Sequence, residues 1–156
     1  MCGDPEVLAQ FEHLREKVLQ QRRKKRSIAR DVKKMRDSLL KAHPNTSDLF
    51  DLKHDRGGII DIEFMVQLLV LTESNKHKCL TQNVGNSELL NMCAEIGLID
   101  NTLGKSVSKI YLKFRQRQHM CRLSGSRYSR IARGDVADDV ELVNKLWVQT
   151  IDSVAS

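Results

Sequence analysis

Turn-forming residues are scarce: the 156 residues include 2 prolines and 8 glycines. Aromatic residues make up 4% of the chain. A sheet-rich fold draws on aromatic and β-branched residues in short runs bounded by turns, so this poverty argues against one. Cysteine is sparse as well. Cys2, Cys79, Cys93 and Cys121 stand far apart with no C-x-x-C among them. That pattern argues against a zinc site or a disulfide framework, and for reduced thiols in a cytoplasmic protein. Long hydrophobic runs are missing too. The longest, from Ile59 to Leu71, carries Asp61, Glu63 and Gln67 and is too short to span a bilayer. Met1 leads into charged, helix-forming residues with no apolar stretch behind it, so neither a signal peptide nor a membrane association is expected.

Charge is plentiful. Charged residues make up 29% of the chain, with a formal net charge of +6. A basic balance suits nucleic acid, nucleotide phosphates or an acidic partner protein, and alone does not choose among them. The length suits one domain with a real core and is short for two. Leu, Ile, Val, Lys, Arg and Glu recur throughout, which predicts an all-α domain spanning residues 1–156.

Hydrophobic spacing predicts a bundle of five or six helices. Asp4 is a candidate N-cap with Pro5 at the first helical position, and Val7, Phe11, Leu14 and Val18 follow at helical spacing. After the basic run Arg22 to Arg26, Ser27 is the expected cap of a second helix. Its inward face would hold Ile28, Val32, Met35 and Leu39. "AHPNTSD" is the clearest loop. "ESNKHKCLTQNVGN" is a polar connection with at most one helical turn. A short helix from Ser87 should stop near Gly97, which suits a left-handed C′ position. A long helix from Asp100 to Gly125 would bury Leu103, Val107, Ile110, Phe114 and Cys121, leaving Lys105, Lys109 and Lys113 as a basic row. A last helix, with Asp135 as expected cap, would bury Val136, Val140, Val143, Trp147, Ile151 and Val154.

The stretch "IIDIEFMVQLLVL" poses the central question. As a strand it would set Asp61 and Glu63 on one face, as a carboxylate pair for Mg²⁺ requires. As a helix it sets them about 200° apart, too far around the axis for a compact pair. The length of the apolar run and the want of a second convincing strand favour the helix, because a lone strand leaves its backbone unpaired. A helix apolar on nearly every side belongs at the centre of a bundle. Its start is notable: Gly57 and Gly58 allow close approach to the backbone, and free N–H groups at a helix N-terminus attract anions. Lys53, His54 and Arg56 stand just before them. A phosphate contact is one reading of this start, and an ordinary Gly-containing turn flanked by solvated charges is the other.

"FDLKHDRGGIIDIEFMVQLLVL" (Phe50 to Leu71) resembles the signature of the glutamine synthetase adenylyltransferase family, roughly K-x-x-x-G-G-(I/M)-x-D-I-E-F-x-x-Q. Lys53, Gly57, Gly58, Asp61, Ile62, Glu63, Phe64 and Gln67 all fall in place. "GDPEVLAQFEHLREKVL", "NSELLNMCAEIGLID" and "YLKFRQRQHMCRLSG" extend the likeness over nearly the whole chain. The resemblance implies an enzyme of two halves, each a nucleotidyltransferase domain followed by a helical bundle. One half moves AMP from ATP, with Mg²⁺, onto a tyrosine of glutamine synthetase; the other removes it, so nitrogen assimilation is controlled. Ile60 before Asp61 and the final helix point to the C-terminal, adenylylating half. The Gly-Ser turn with a D-x-D strand of the nucleotidyltransferase domain is not found here: Gly125-Ser126 opens "GSRYSRIARGDVADD", without a D-x-D.

The resemblance therefore implies a helical domain that borders the active-site cleft, needs the nucleotidyltransferase domain as its partner, and is inactive alone. Lys53, Arg56, Gly57 and Gly58 are the candidate ATP-phosphate contacts. Asp61 and Glu63 are cleft-facing candidates, with a buried ion-pair or capping role as the alternative for both. No metal ligand is assigned, and no cofactor is expected to bind this chain tightly by itself. Implied partners are glutamine synthetase and a nitrogen-signalling regulatory protein. The alternative is a basic interaction module for nucleic acid or protein, using Arg22 to Arg26 and the Lys105 row. Stacking platforms for bases are poorly provided there, with Tyr111 and Phe114 the only neighbouring aromatics. His13, His43, His54, His77 and His119 show no metal-ligand spacing, and Trp147 is expected in the core.

Overall fold

The computed structural model describes residues 5–156; Cys2 and the expected cap Asp4 lie outside the described residues. The fold is all-α, as the composition predicts. Helices α1 (Pro5–Leu19), α2 (Lys25–Ala42), α3 (Ile59–Glu73), α4 (Asn86–Glu95), α5 (Asn101–Leu123) and α6 (Ala137–Trp147) follow in order. Helix α6 continues through a π turn, Val148–Asp152, into a last turn, Ser153–Ala155. Single 3-10 turns lie at Lys78–Thr81 and Arg133–Val136.

The stretch Ile59–Glu73 is a helix and forms the centre of the bundle. Ile62, Met65 and Leu68 are wholly buried, and α2, α4, α5 and α6 pack around them. The apolar residues wrap the whole circumference because this helix has neighbours on all sides. Its length and position settle the strand question: Asp61 faces α2 and Glu63 faces α5.

Several boundaries differ from expectation. Helix α2 begins two residues before Ser27, and its start at Lys24 has no side-chain cap. Its buried face is Ala29, Val32 and Arg36, while Met35 is 56% exposed. Helix α4 starts at Asn86 after Gly85. Asp135 does not cap α6; it lies in the 3-10 turn before it, and Val136 holds the cap position. Asp100, by contrast, does cap α5 by accepting from the Leu103 N–H at 2.7 Å. Gly97 ends α4 at φ 74°, letting the Leu98 N–H reach the Cys93 carbonyl at 2.9 Å.

Two short strands, β1 (Phe50–Asp51) and β2 (Arg130–Ile131), pair antiparallel, Phe50 opposite Ile131 and Asp51 opposite Arg130. Two residues per strand give no periodicity to read. The ladder ties the loop before α3 to the loop after α5.

Helix α1 departs most. None of its residues is buried, and Val7, Phe11 and Leu14 are each about 60% exposed. Its contacts with the bundle are polar: Arg15 donates to the Thr81 carbonyl, and Glu16 pairs with Lys78 at 2.7 Å. The basic run after it is partly structural. Arg23 donates to the Val18, Leu19 and Leu71 carbonyls, and Lys25 pairs with Glu73. Burial raises the Glu73 pKa, yet the bond from Lys25 and the charge of Lys76 outweigh it and hold the carboxyl below its usual range. Among the described residues, no helix is long and apolar enough to cross a membrane.

Candidate functional site

The segment between β1 and α3 is a tight, internally bonded loop. Asp51 begins it: its Oδ1 accepts the N–H groups of Lys53 and His54, both at 2.9 Å, an Asx-type turn. Asp55 holds the middle, accepting from the Asp51 N–H at 3.0 Å and from Asn45 at 2.7 Å. Two of its backbone groups then close on α3: Ile59 N–H donates to the Leu52 carbonyl at 2.9 Å and Ile60 N–H to the Lys53 carbonyl at 3.3 Å.

Gly57 and Gly58 occupy the crossing point. Gly57 has φ 81°, and a Cβ there would lie 2.7 Å from Val140 Cγ1 on α6. A Cβ on Gly58 would lie 2.8 Å from the Leu52 carbonyl oxygen and 2.9 Å from that of Asp55. Both glycines are buried. Their role is close backbone packing, against a neighbouring helix in one case and against the loop itself in the other. Their amides are engaged as well: Gly57 N–H donates to Asp61 Oδ2 at 2.6 Å and Gly58 N–H to the Asp55 carbonyl at 3.1 Å. An anion at this loop therefore has to be held by side chains.

Asp61 is 1% exposed and bonded to Arg36, which is wholly buried. Arg36 also donates through Nη2 to the carbonyls of His54 and Asp55, at 2.8 and 3.0 Å. Its Nη1 is the one nitrogen of the guanidinium without a partner. This pair is a strut: α2 reaches through Arg36 to hold the loop, and Asp61 neutralises the charge while binding Gly57. Both carboxylate oxygens of Asp61 are committed within this chain, one to Arg36 and the other to the Gly57 N–H. Glu63 lies half-buried and accepts from the Tyr111 hydroxyl at 3.1 Å, joining α3 to α5. Burial pushes the Tyr111 phenol up, and the nearby Glu63 charge adds to that rise. For both carboxylates the ion-pairing and bonding alternative describes the geometry.

The two candidate cations part company. Arg56 pairs with Asp37 at 2.5 Å, lies 5.5 Å above the Trp147 ring, and borders a cavity of about 460 Å³ shared with His43, Asn45 and Arg133. Lys53 borders a smaller cavity of about 160 Å³ with His54, Arg122, Arg127 and Tyr128. The loop separates them. The rings of His43 and His54 stack between, centroids 4.4 Å apart. Burial holds the His54 pKa below its ordinary value; Asp51 opposes this, while His43 and Lys53 reinforce it.

Arg36, Arg122, Arg127, Tyr128, Arg130 and Arg133 were not singled out by sequence pattern. Arg36 had a signal: spacing of 29, 32 and 36 puts a cation in an apolar stripe, which calls for a buried partner. Arg122 lies in the last turn of α5, and the others come from a turn-rich segment whose path no periodicity reveals. Among the described residues, no group of three or more His, Cys, Asp or Glu side chains is placed to hold a metal ion.

No protein-family model matches the chain. Individual proteins do. The chain is 45% identical over 153 residues, 98% of its length, to a protein of Ralstonia nicotianae. It is 40% identical over 150 residues, 96% of its length, to one of Bordetella bronchiseptica. A third, from Nitrosomonas europaea, is 38% identical over 161 residues, 94% of the chain. Each of the three is described as a bifunctional glutamine synthetase adenylyltransferase/adenylyl-removing enzyme. The chain spans about a sixth of their length, 16% or 17% in each case.

Proposed function

Because the chain belongs to the glutamine synthetase adenylyltransferase family, as a segment of much longer members, we propose that it is the helical domain bordering the cleft of the adenylylating half. The observation that carries this reading is the identity itself: 45% over 98% of the chain, with Lys53, Gly57, Gly58, Asp61, Glu63 and Gln67 of the signature all present. Ile60 supports the adenylylating rather than the removing half.

In this reading the chain positions and neutralises and does not bond covalently to substrate. Lys53 and Arg56, one on each flank of the loop, meet phosphate oxygens. Arg133, beside Arg56, adds charge from the segment before α6. The diglycine and the Arg36–Asp61 strut fix the loop so that these cations start in place. ATP and Mg²⁺, when bound in the whole enzyme, supply the adenylyl group and offset charge on the triphosphate. The residues of this chain suit the phosphates but not the metal, since Asp61 is committed to Arg36 and Glu63 to Tyr111. The metal ligands are therefore assigned to the nucleotidyltransferase domain. Glutamine synthetase and a nitrogen-signalling regulatory protein are the partners of the whole enzyme, in a cytoplasmic setting.

A nucleic-acid module has less support. Tyr111 is buried with its hydroxyl on Glu63, and Phe114 is in the core, so neither offers a face to a base. Lys113 of the basic row is paired with Asp139 at 2.5 Å. The test is direct. The chain alone, mixed with glutamine synthetase, ATP and Mg²⁺, should leave the synthetase without AMP by intact-mass spectrometry. The full-length Ralstonia relative, with this chain exchanged for its matching segment, should label it. An inactive exchange against an active parent would count against the reading.

A further inference from the structure

We propose that the small cavity between the β1–α3 loop and the α5–β2 loop is a binding site for a single phosphate group, gripped by Lys53, Arg122 and Arg127. The three come from different places: Lys53 from the loop before α3, Arg122 from the last turn of α5, and Arg127 from the loop after it. All three border the same cavity of about 160 Å³. None of them forms an ion pair or a side-chain hydrogen bond among the described residues, whereas Arg36, Arg56, Arg130 and Arg133 all do.

A solvated charge run does not account for this. Cations that only solubilise lie spread over a face; these three, though exposed, border one concavity. The single carboxylate at its wall, Asp51, is already spent: it is buried, receives the Lys53 and His54 amides through Oδ1, and faces Arg130 through Oδ2 at 3.7 Å. The negative end of α5 is occupied too, with the Ser126 and Gly125 N–H groups on the Cys121 and Arg122 carbonyls. A second basic hollow, on α2, differs in this respect. There Asp37 stands among the cations, and Lys33 is paired with Asp152 at 2.8 Å. In the cavity beside Lys53 none of the three cations has a carboxylate partner among the described residues.

Size and walls set the ligand. Sites that enclose a drug-sized molecule measure roughly 300–1,000 Å³; this one admits one anionic group and the start of what carries it. Tyr128 stands at its edge, half exposed, with the Arg130 guanidinium 4.3 Å and that of Arg127 5.4 Å from its ring centroid. Those contacts help hold the arginines in place. Two guanidiniums and one ammonium, with the one bordering carboxylate bonded elsewhere, match the multiple oxygens of a phosphate better than the two of a carboxylate. The inference deepens the phosphate-facing role given to Lys53 and rests on that reading for this one residue. Arg122 and Arg127 stand on the cavity alone.

The test is a titration of the isotope-labelled chain followed by NMR, with inorganic phosphate, pyrophosphate, ATP and sodium acetate as separate arms at constant low salt. Saturable shifts confined to Lys53, His54, Arg122 and residues 127–129, at a Kd of about 1 mM, are expected from the phosphate-bearing arms and not from acetate. Equal affinity for inorganic phosphate and ATP would assign the site to a free phosphate group; a gain with pyrophosphate and ATP would assign it to the end of a polyphosphate. Arg122→Ala and Arg127→Ala should each weaken binding by about tenfold, the loss of one charge-assisted bond, and Arg127→Lys should restore part of it. Lys34→Ala, in the α2 hollow, should change nothing. Shifts spread over the α2 and α5 lysines, equal binding of acetate, or indifference to both arginine variants would overturn the proposal. Because binding is read on this chain alone, its failure is separate from an inactive exchange in the transferase assay.

Discussion

Arg36 and Asp61 are the residues on which the rest turns. Taking one partner from a buried pair leaves a charge in the core, at about 3–5 kcal/mol. Asp61→Asn should therefore lower the urea-unfolding free energy by that amount, and the double change Arg36→Met with Asp61→Leu should recover most of it. An Asp61→Asn protein of unchanged stability would mean that the strut carries no load. Gly57→Ala is expected to cost about 1–3 kcal/mol, from the left-handed φ and from the Val140 side chain 2.7 Å from the new methyl. Val140→Ala should relieve the second part only. His54 predicts a pH dependence. Its folded-state pKa is lowered, so as pH falls through about 6.5 the unfolded chain binds the proton first. Stability is full above that pH and declines below it until the folded-state pKa is reached. Thermal melts from pH 7.5 to 5 should show this step, reduced in His54→Gln.

Among the elements, α1 and α3 are opposites, and their sequences hide the difference. Both have apolar residues at helical spacing, and the spacing alone predicts burial for both. Only α3 is apolar on every side, and that fullness is what marked it as central. None of the α1 stripe is buried among the described residues, so its exposure depends on neighbours the pattern does not encode. Phe11→Ala should change the stability of the isolated chain by no more than about 0.5 kcal/mol, whereas Leu68→Ala, at a wholly buried position, should cost about 2–5 kcal/mol. Amide exchange should follow the same order, with α1 opening far more readily than α3. The β1–β2 ladder was illegible for another reason. It is set by where α5 ends and α3 begins, and by no strand-like run of its own.

At the scale of the whole molecule, the bundle, its central helix and the presence of a loop before it were legible. Periodicity supplied the helices, and the diglycine among basic residues marked the loop. The division of that loop's work was not legible. Sequence spacing groups Lys53, Arg56, Gly57, Gly58 and Asp61 within nine positions, but the fold sends Lys53 and Arg56 to different cavities and both glycines and Asp61 inward. Cations from α5 and from the segment before α6 complete each flank, and only three-dimensional structure brings them there. We propose that a rigid, basic loop on this helical scaffold serves an active site completed elsewhere. The most direct measurement is kcat/KM for AMP transfer to glutamine synthetase by the Ralstonia relative carrying this chain in place of its own segment. Replacing Lys53 by Ala and Arg56 by Gln together should lower it by roughly 10²-fold with the melting temperature unchanged; an unaltered rate would contradict the account.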